Sequence, residues 1–431
     1  MVSRWRWTFT QLCRQLWLRA SLIGLLGIVA AFGAVIAAPI IPNTLTVRLG
    51  AGSVVQILNV LASSMLAVTT FSLSVMTSAY SAASNGTTPR ATQLLIQDST
   101  AQNALATFIG SFLFSIVGLI ILNSGFYAEN GRFILFLVTI LVIAMIIIAL
   151  LRWIDHLTKL GRVSETTQEV EDATRSACLI RLRQPCLGGQ RLNDPKKDIP
   201  AGARPLMSKV IGYLQHIDPG QLSALTERYD ARIYLTVNPG AFAFPQTILA
   251  WVAYDDPAQD IPEAALLKAF SFDNVRNFDQ DPRFGFIVLG EIAARALSPA
   301  INDPGTAIDV VGRLIRLLSL WSDRENLKQQ LMFPRLFVPP ITISDLLEDG
   351  VGPFARYGAS CVEVQVRLQK GLSALSHIGD DEFRRAIEDY ARLCLTRVQA
   401  AALPEHDLVR IIAAHQGLEL QLLTDIPPLR G

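Results

Sequence analysis

The sequence predicts an α-helical membrane protein: four transmembrane helices and a cytoplasmic α+β domain, mainly helical with a small β module. Three observations lead there. Of the 75 Asp, Glu, Lys and Arg residues, only nine precede Arg152. Four apolar runs fall within that poorly charged stretch. The basic residues flank those runs unequally. Residues 1–20 read as a cytoplasmic N-terminal segment, 21–151 as the transmembrane domain and 152–205 as a cytoplasmic helix and linker. Residues 206–256 read as the β module and 257–431 as a helical cytoplasmic domain.

Leu22 to Ile41 is an uncharged run of 20 residues, about the number that crosses a hydrocarbon core of roughly 30 Å as a helix. It exceeds the roughly 7–15 apolar residues of a secretory signal, so a retained anchor is expected. The second span lies in the charge-free stretch Leu49–Pro89, near Val54–Ala83. That is too long for the hydrocarbon alone, so this helix should tilt or project. Ala104–Leu122 makes a third span and Phe133–Leu151 a fourth.

Arg4, Arg6, Arg14 and Arg19 precede the first span, and Arg152, Lys159 and Arg162 follow the fourth. The expected outer loops carry only Arg48 and Arg132. Cytoplasmic loops are enriched in Lys and Arg, so both termini and the large C-terminal region are expected in the cytoplasm. Trp5, Trp7, Trp17 and Trp153 fall near the cytoplasmic ends of spans, where indole rings favour the interface.

Gln56, Asn59, Ser63, Thr70, Ser74, Thr77 and Ser81 recur at intervals of three, four or seven. At about 100° per residue they share a sector of roughly 60° on the second span, interrupted at Leu66 and Ala67. Hydrocarbon offers such groups no partners. The stripe is therefore either a helix–helix packing seam or the wall of a path for an ion or small polar solute, built where copies meet in a homo-oligomer. It contains no carboxylate, lysine or histidine, which argues against a proton relay. After it, Thr88-Pro89-Arg90 opens a short helix toward Asp98, with Thr88 as cap and Pro89 in the first turn. Arg90 lies at the membrane surface, to anchor headgroups or to touch the aqueous domain.

Beyond the spans, residues 152–177 read as a helix continuing the fourth span, with Glu165, Glu169, Glu171 and Asp172 on a solvated face. Arg183–Gly202, rich in Pro and Gly, reads as a linker or surface loop. Strands are expected at Lys209–Gln215, Ala231–Val237 and Ile248–Tyr254, around a helix at Asp218–Tyr229 and a turn at Asn238-Pro239-Gly240. This strand–turn–strand loosely resembles carrier-type barrel-sandwich modules, but the turn lacks the lysine that would bear a swinging cofactor. Asp281-Pro282 and Asn302-Asp303-Pro304 should each start a helix, with the carboxylate as cap and proline as the first helical residue. Ser298-Pro299 should end the first of these. Further helices are expected at Asp381–Ala400 and Glu405–Leu420.

The remaining chemistry is sparse. No phosphate-binding glycine loop, H-E-x-x-H or G-x-S-x-G occurs. The five histidines are scattered and the five cysteines form no C-x-x-C, which suits a reducing compartment. Asp255-Asp256 and Asp380-Asp381 read as solvated pairs. The region after residue 151 carries 31 basic and 35 acidic residues, so nucleic acid is not an expected partner. No catalytic residue, metal ligand or cofactor is assigned; the expected partners are the lipid bilayer, further copies of the chain and a small solute. The functions these features allow are an oligomeric channel-like permeation protein or a membrane-anchored sensor or scaffold, with no enzymatic activity assigned.

Four segments together carry a family resemblance: SVMTSAYSAASNGTTPR, FAFPQTILAWVA, FDQDPRFGFIVLGEIAARALSPAINDPGTAIDVVGRL and FARYGA. The chain resembles the bacterial predicted-membrane-protein family known as domain of unknown function 2254, from the first span onward. The resemblance implies an inner-membrane protein of this layout. It marks Arg90, Gln280, Asp281, Pro282, Ser298, Asn302, Asp303 and Pro304 as positions to watch. Capping accounts for Asp281 and Asp303. Alternatively Arg295, Asn302 and Asp303 form a polar contact site for a subunit or cytoplasmic ligand. The chain departs from the family pattern at Phe-Ala-Phe-Pro-Gln, where a glycine-bearing turn is more usual, and at Gly350–Pro353.

Overall fold

The computed structural model describes residues 16–36, 51–96, 98–124, 129–256, 258–324 and 331–417. The chain divides into two compact units, Arg6–Thr166 and the unit from Thr167 onward.

The first unit is built from α1 (Leu16–Ile36), α2 (Ala51–Gly86), α3 (Ser99–Asn123) and α4 (Glu129–Leu157). Three helical stretches are long and apolar enough to cross a membrane: Ser53–Gly86, Thr92–Asn123 and Gly131–Leu157. In α1 the shorter apolar stretch Ser21–Ala30 is described; the end of the expected first span, residues 37–41, lies outside the described residues, as do Arg48, Trp5 and Trp7.

Glycines set the α1–α3 approach. A Cβ on Gly27 would lie 2.9 Å from the Gly110 carbonyl oxygen, and one on Gly110 would lie 2.5 Å from Ile23 Cγ2. Such backbone proximity is what small residues permit between helices in lipid, where dispersion contacts replace the hydrophobic effect. Leu58, Leu105, Phe108, Phe114 and Leu135 fill the bundle interior. Leu22, Leu26 and Val29 of α1 and Leu141, Ile148 and Leu151 of α4 are exposed, an apolar exterior suited to acyl chains. Trp153 departs from the interfacial expectation: it is buried and stacks on His156 at 5.8 Å between ring centroids.

Residues 152–177 do not form one helix continuing the fourth span. Helix α4 ends at Leu157, and α5 (Val163–Arg183) begins after a break at which Gly161 takes φ +82°. A left-handed residue interrupts the helical hydrogen-bond ladder, and glycine adopts it at least cost. Glu171 also corrects the expectation of a solvated acidic face, because it is buried.

The second unit holds two sheets. The five-stranded sheet has the order β1 (Gly189–Arg191), β8 (Phe333–Val338), β4 (Ala231–Leu235), β6 (Ile248–Tyr254), β2 (Arg204–Met207). The three-stranded sheet has the order β5 (Phe242–Ala243), β3 (Gly212–Ile217), β7 (Phe270–Asp273). β1 and β4 pair with β8 in parallel, and the other pairings are antiparallel. The sheets thus draw strands from well outside residues 206–256. Arg183–Gly202 is likewise no simple loop: Cys186, Leu187 and Leu192 are buried and β1 begins at Gly189. Leu214, Ile217, Ile233, Leu249, Val252 and Leu336 form the shared core with α6 (Pro219–Arg228) beside it.

The longer helices run in the order α6, α7 (Pro282–Ala296), α8 (Pro304–Ser322), α9 (Ile343–Gly350), α10 (Val362–Leu375), α11 (Asp381–Ala400) and α12 (Glu405–His415), with short helices at Glu263–Leu267 and Gly352–Tyr357 among them. Each of α6, α7 and α8 starts on the expected Asp-Pro pair, with the aspartate accepting a backbone N–H.

Candidate functional site

Helix α2 presents two faces of different character. Val54, Leu58, Ala62, Met65, Ser72, Met76 and Ala83 are buried within the bundle. All seven stripe residues, Gln56, Asn59, Ser63, Thr70, Ser74, Thr77 and Ser81, are exposed on the single chain, centred roughly 150° around the helix from the buried face. Among the described residues, no helix of the same chain covers the stripe.

Three of its hydroxyls are satisfied locally. Ser63 Oγ donates to the Asn59 carbonyl at 2.9 Å, Thr70 Oγ1 to that of Ala67 at 2.9 Å, and Thr77 Oγ1 to that of Ser74 at 2.8 Å. Back-bonding of this kind hides a hydroxyl from hydrocarbon. The amides of Gln56 and Asn59 show no side-chain hydrogen bond among the described residues.

Packing polarity inside the bundle belongs to other residues. Ser72, Gln102, Ser111, Ser115 and Thr139 are buried; Ser115 Oγ donates to the Ser111 carbonyl at 2.8 Å and Thr139 Oγ1 to that of Leu135 at 2.7 Å. The small and hydroxylated residues of the third span were the available signal, yet no periodicity separated them from the exposed stripe.

At the joint after α2, Thr88 Oγ1 accepts from Ala91 N at 3.3 Å, and the helix that follows is short, Thr92–Ile96. Pro89 and Arg90 are exposed. Asp98 caps α3 by accepting from Thr100 N at 2.9 Å, while its Oδ2 lies 2.5 Å from His156 Nε2 at the end of α4. The joint thus ties the start of α3 to the end of α4. Nothing in the sequence pointed to His156, 58 positions away from its carboxylate.

The 280–304 motif divides between the two ends of α7, about 22 Å apart at 1.5 Å per residue. At its N-terminus, the Gln280 side chain accepts from Ile217 N at 3.0 Å and donates to Ile217 O at 3.2 Å, docking the loop on β3. Asp281 is buried; it caps Phe284 N at 3.2 Å and accepts from Arg276 Nε at 2.8 Å. Burial pushes its carboxyl above the usual range, with Arg276 and the Phe284 amide pulling the other way. Pro282 follows as the first helical residue. Arg181, also buried, donates from Nη2 to the Gln280 carbonyl at 3.3 Å, and its desolvated guanidinium is lowered to about 10. A Cβ on Gly240 would lie 2.2 Å from Asp281 Oδ2, so the Asn238-Pro239-Gly240 turn closes over this pair. Arg181, Gly240 and Arg276 complete a cluster from which only Gln280, Asp281 and Pro282 had been singled out.

At the other end of α7, each residue has a turn or cap task. Ser298 Oγ donates to the Arg295 carbonyl at 2.7 Å. Asn302 takes φ +49°, which asparagine tolerates better than most residues. Asp303 accepts from Thr306 N at 3.0 Å and Thr306 Oγ1 at 2.6 Å, and those bonds hold its carboxyl low. Pro304 starts α8. Asn302 and Asp303 point outward from the unit and are exposed. Among the described residues, no group of three His, Cys, Asp or Glu side chains could hold a metal ion.

Apolar helices long enough to cross a bilayer, joined to a large mixed unit, define an integral membrane protein. The family described as predicted membrane protein, domain of unknown function 2254, matches residues 13–374. This chain belongs to that family. It is 28% identical over 360 residues to an uncharacterized protein of Mycobacterium tuberculosis strain H37Rv, covering 80% of this chain and 67% of the relative. An uncharacterized protein of Mycobacterium bovis matches with the same identity and coverage. No solved structure matches the chain.

Proposed function

We propose that this protein is an oligomeric, channel-like permeation protein of a bacterial inner membrane, with the polar face of α2 lining the path. In this reading four helices cross the bilayer, α1 included, both termini are cytoplasmic, and the second unit assembles or gates the path. The protein performs no catalysis. One observation supports it above others: the polar stripe is the face of α2 left uncovered by its own bundle. A primary amide facing hydrocarbon without a partner costs on the order of several kcal/mol. Gln56 and Asn59 therefore call for water or another copy opposite them, and a ring of copies supplies both. A single four-helix chain is too thin to enclose a pore, so assembly is part of the proposal.

Planar-bilayer recording of the purified protein tests it. Discrete conductance is expected, reduced roughly tenfold by Asn59→Leu and Thr70→Leu because polar lining sets the barrier for a hydrated solute. Absence of conductance, together with an unchanged cell phenotype in both variants, retires the reading. A second reading, a membrane-anchored sensor or scaffold, is favoured by the back-bonded hydroxyls of Ser63, Thr70 and Thr77. They let those three of the seven stripe residues face lipid or a neighbouring helix with no path at all.

A further inference from the structure

The three-stranded sheet ends in an uncovered apolar tip. Gly212 pairs with Ala243 across β3 and β5, and Tyr213 pairs with Asp273 across β3 and β7. Ile211 immediately precedes β3, Phe244 immediately follows β5 and Val275 lies two residues past the end of β7, so all three sit at the same end of this sheet. Val210, Ile211, Phe242, Phe244 and Val275 are 42–64% exposed, and Met207 at the end of β2 adds 40%. The loops carrying them are stitched together: Ser208 N donates to Thr247 O at 2.8 Å, and Gln246 N to Ser208 O at 3.1 Å. Phe242 meets Tyr213 and Phe244 edge-on at 4.8 and 5.0 Å, so the aromatic surface is ordered before any partner arrives. Such preorganisation lowers the entropy cost of binding.

We infer that this tip is a docking surface for the same tip of a second copy of this chain. The exposed apolar area is roughly 500 Å², near the upper end for an isolated patch on a monomer. A standard interface needs about 800 Å² from each partner, so the tip matches the apolar centre of one, with polar residues completing the rim. Its charge selects protein over lipid. Lys209, at the edge, is neutralised by Glu263 at 2.8 Å, and Asp273 adds a negative charge at the end of β7. Among the described residues, the tip carries no cluster of basic side chains of the kind that draws a loop to anionic headgroups, whereas an uncharged aromatic centre is typical of protein interfaces. A two-fold axis through the tip would set Ile211, Phe244 and Val275 of one copy against those of the other, a closed and self-complementary contact. Membrane anchoring confines the copies to one sheet, which raises their effective concentration. This surface belongs to the second unit and does not depend on a permeation path.

Cysteine cross-linking of the full-length protein in native membranes tests the inference. Ile211→Cys under mild oxidation should give a covalent dimer. Ile378→Cys, 39% exposed on a different part of the unit, serves as control, and the wild-type chain fixes the background from native cysteines. A yield roughly tenfold above the control is expected, with return to the control level when Phe244→Glu is added, the effect of removing one interface anchor. Equal yields from the two cysteines overturn the inference, whether or not Phe244→Glu folds. So does quenching by brominated lipid of a fluorophore on Ile211→Cys, which would assign the tip to the bilayer. Conductance recorded on the same samples separates the two proposals: loss of the cross-link with conductance intact sinks this one alone, and the converse sinks only the path.

Discussion

Glu171 of α5 lies 2.8 Å from Arg313 of α8, and both side chains are more than nine-tenths buried. Arg316 adds bonds at 2.7 and 2.8 Å to the two oxygens of the same carboxylate. Arg313 also donates to Gln168 at 2.6 Å and Asp309 at 2.7 Å. Glu171→Gln leaves Arg313 buried beside a neutral amide, and removing one partner of a buried pair costs about 3–5 kcal/mol. Denaturant unfolding of the purified full chain, followed by tryptophan fluorescence, should show that loss. Glu171→Met combined with Arg313→Met should recover most of it.

The same carboxylate shapes the acid limit of stability. Burial would raise Glu171, but the bonds from Arg316 and Arg313 outweigh it and hold the group below its ordinary value. Asp380 is held low first by its bonds from Arg324. A depressed carboxyl contributes stability that is complete above its unfolded pKa, about 4, and disappears as pH falls through the lower folded value. Asp281 is raised by burial and acts with the opposite sign. The melting temperature should therefore fall steeply below about pH 4, and Glu171→Gln should flatten that limb. An unchanged acid profile in the variant would contradict the linkage.

Gly285 of α7 faces Thr174 of α5 so closely that a Cβ would lie 1.8 Å from Thr174 Oγ1 and 2.6 Å from its Cβ. Gly285→Ala should cost about 1–3 kcal/mol, the usual range for overpacking. Thr174→Ala removes the hydroxyl clash and keeps the Cβ, so the double variant should regain part of the loss. A double-mutant cycle on unfolding free energies gives the coupling.

The two caps flanking α7 should differ in weight. Asp303→Ala removes an exposed cap and should cost about 1 kcal/mol. Asp281→Ala also strips the half-buried Arg276 of its carboxylate and removes a negative charge near the buried Arg181, and a loss of about 3–5 kcal/mol is expected. Similar losses at the two positions, measured by denaturant unfolding, would show that the 276–281 cluster adds nothing beyond capping.

Phe244, Pro245, Gln246 and Thr247 form a turn closed by Thr247 N donating to Phe244 O at 3.0 Å. Gln246 takes φ +75°, the conformation a turn with proline in its second position asks of glycine in its third. The glycine missing at this turn is thus a strain carried by the chain. Gln246→Gly should raise stability by about 1 kcal/mol, read as a higher denaturant midpoint.

Much of this architecture was legible in the residues. Runs without charge located the long helices because a bilayer core admits little else. Asp218-Pro219, Asp281-Pro282 and Asp303-Pro304 marked helix starts because a side-chain cap and a missing N–H are local matters. The polar stripe was visible because helical period is a property of spacing alone.

Tertiary contacts decided the rest. The periodicity of α2 showed that its polar groups share a face; only packing showed that the bundle covers the opposite one. Glu171 looked like solvated surface until α8 brought Arg313 and Arg316 to it, and Trp153 looked interfacial until its burial placed it in the bundle. The cluster of Arg181, Gly240, Arg276 and Asp281 joins segments a hundred residues apart, and the β module borrows Phe333–Val338 from far downstream. Hydrophobic pattern and helix caps are written within a few turns of the chain, because their forces act over a few residues. Which faces meet, and which charges leave water together, depends on burying those patterns against one another, and no single stretch of sequence carries that information.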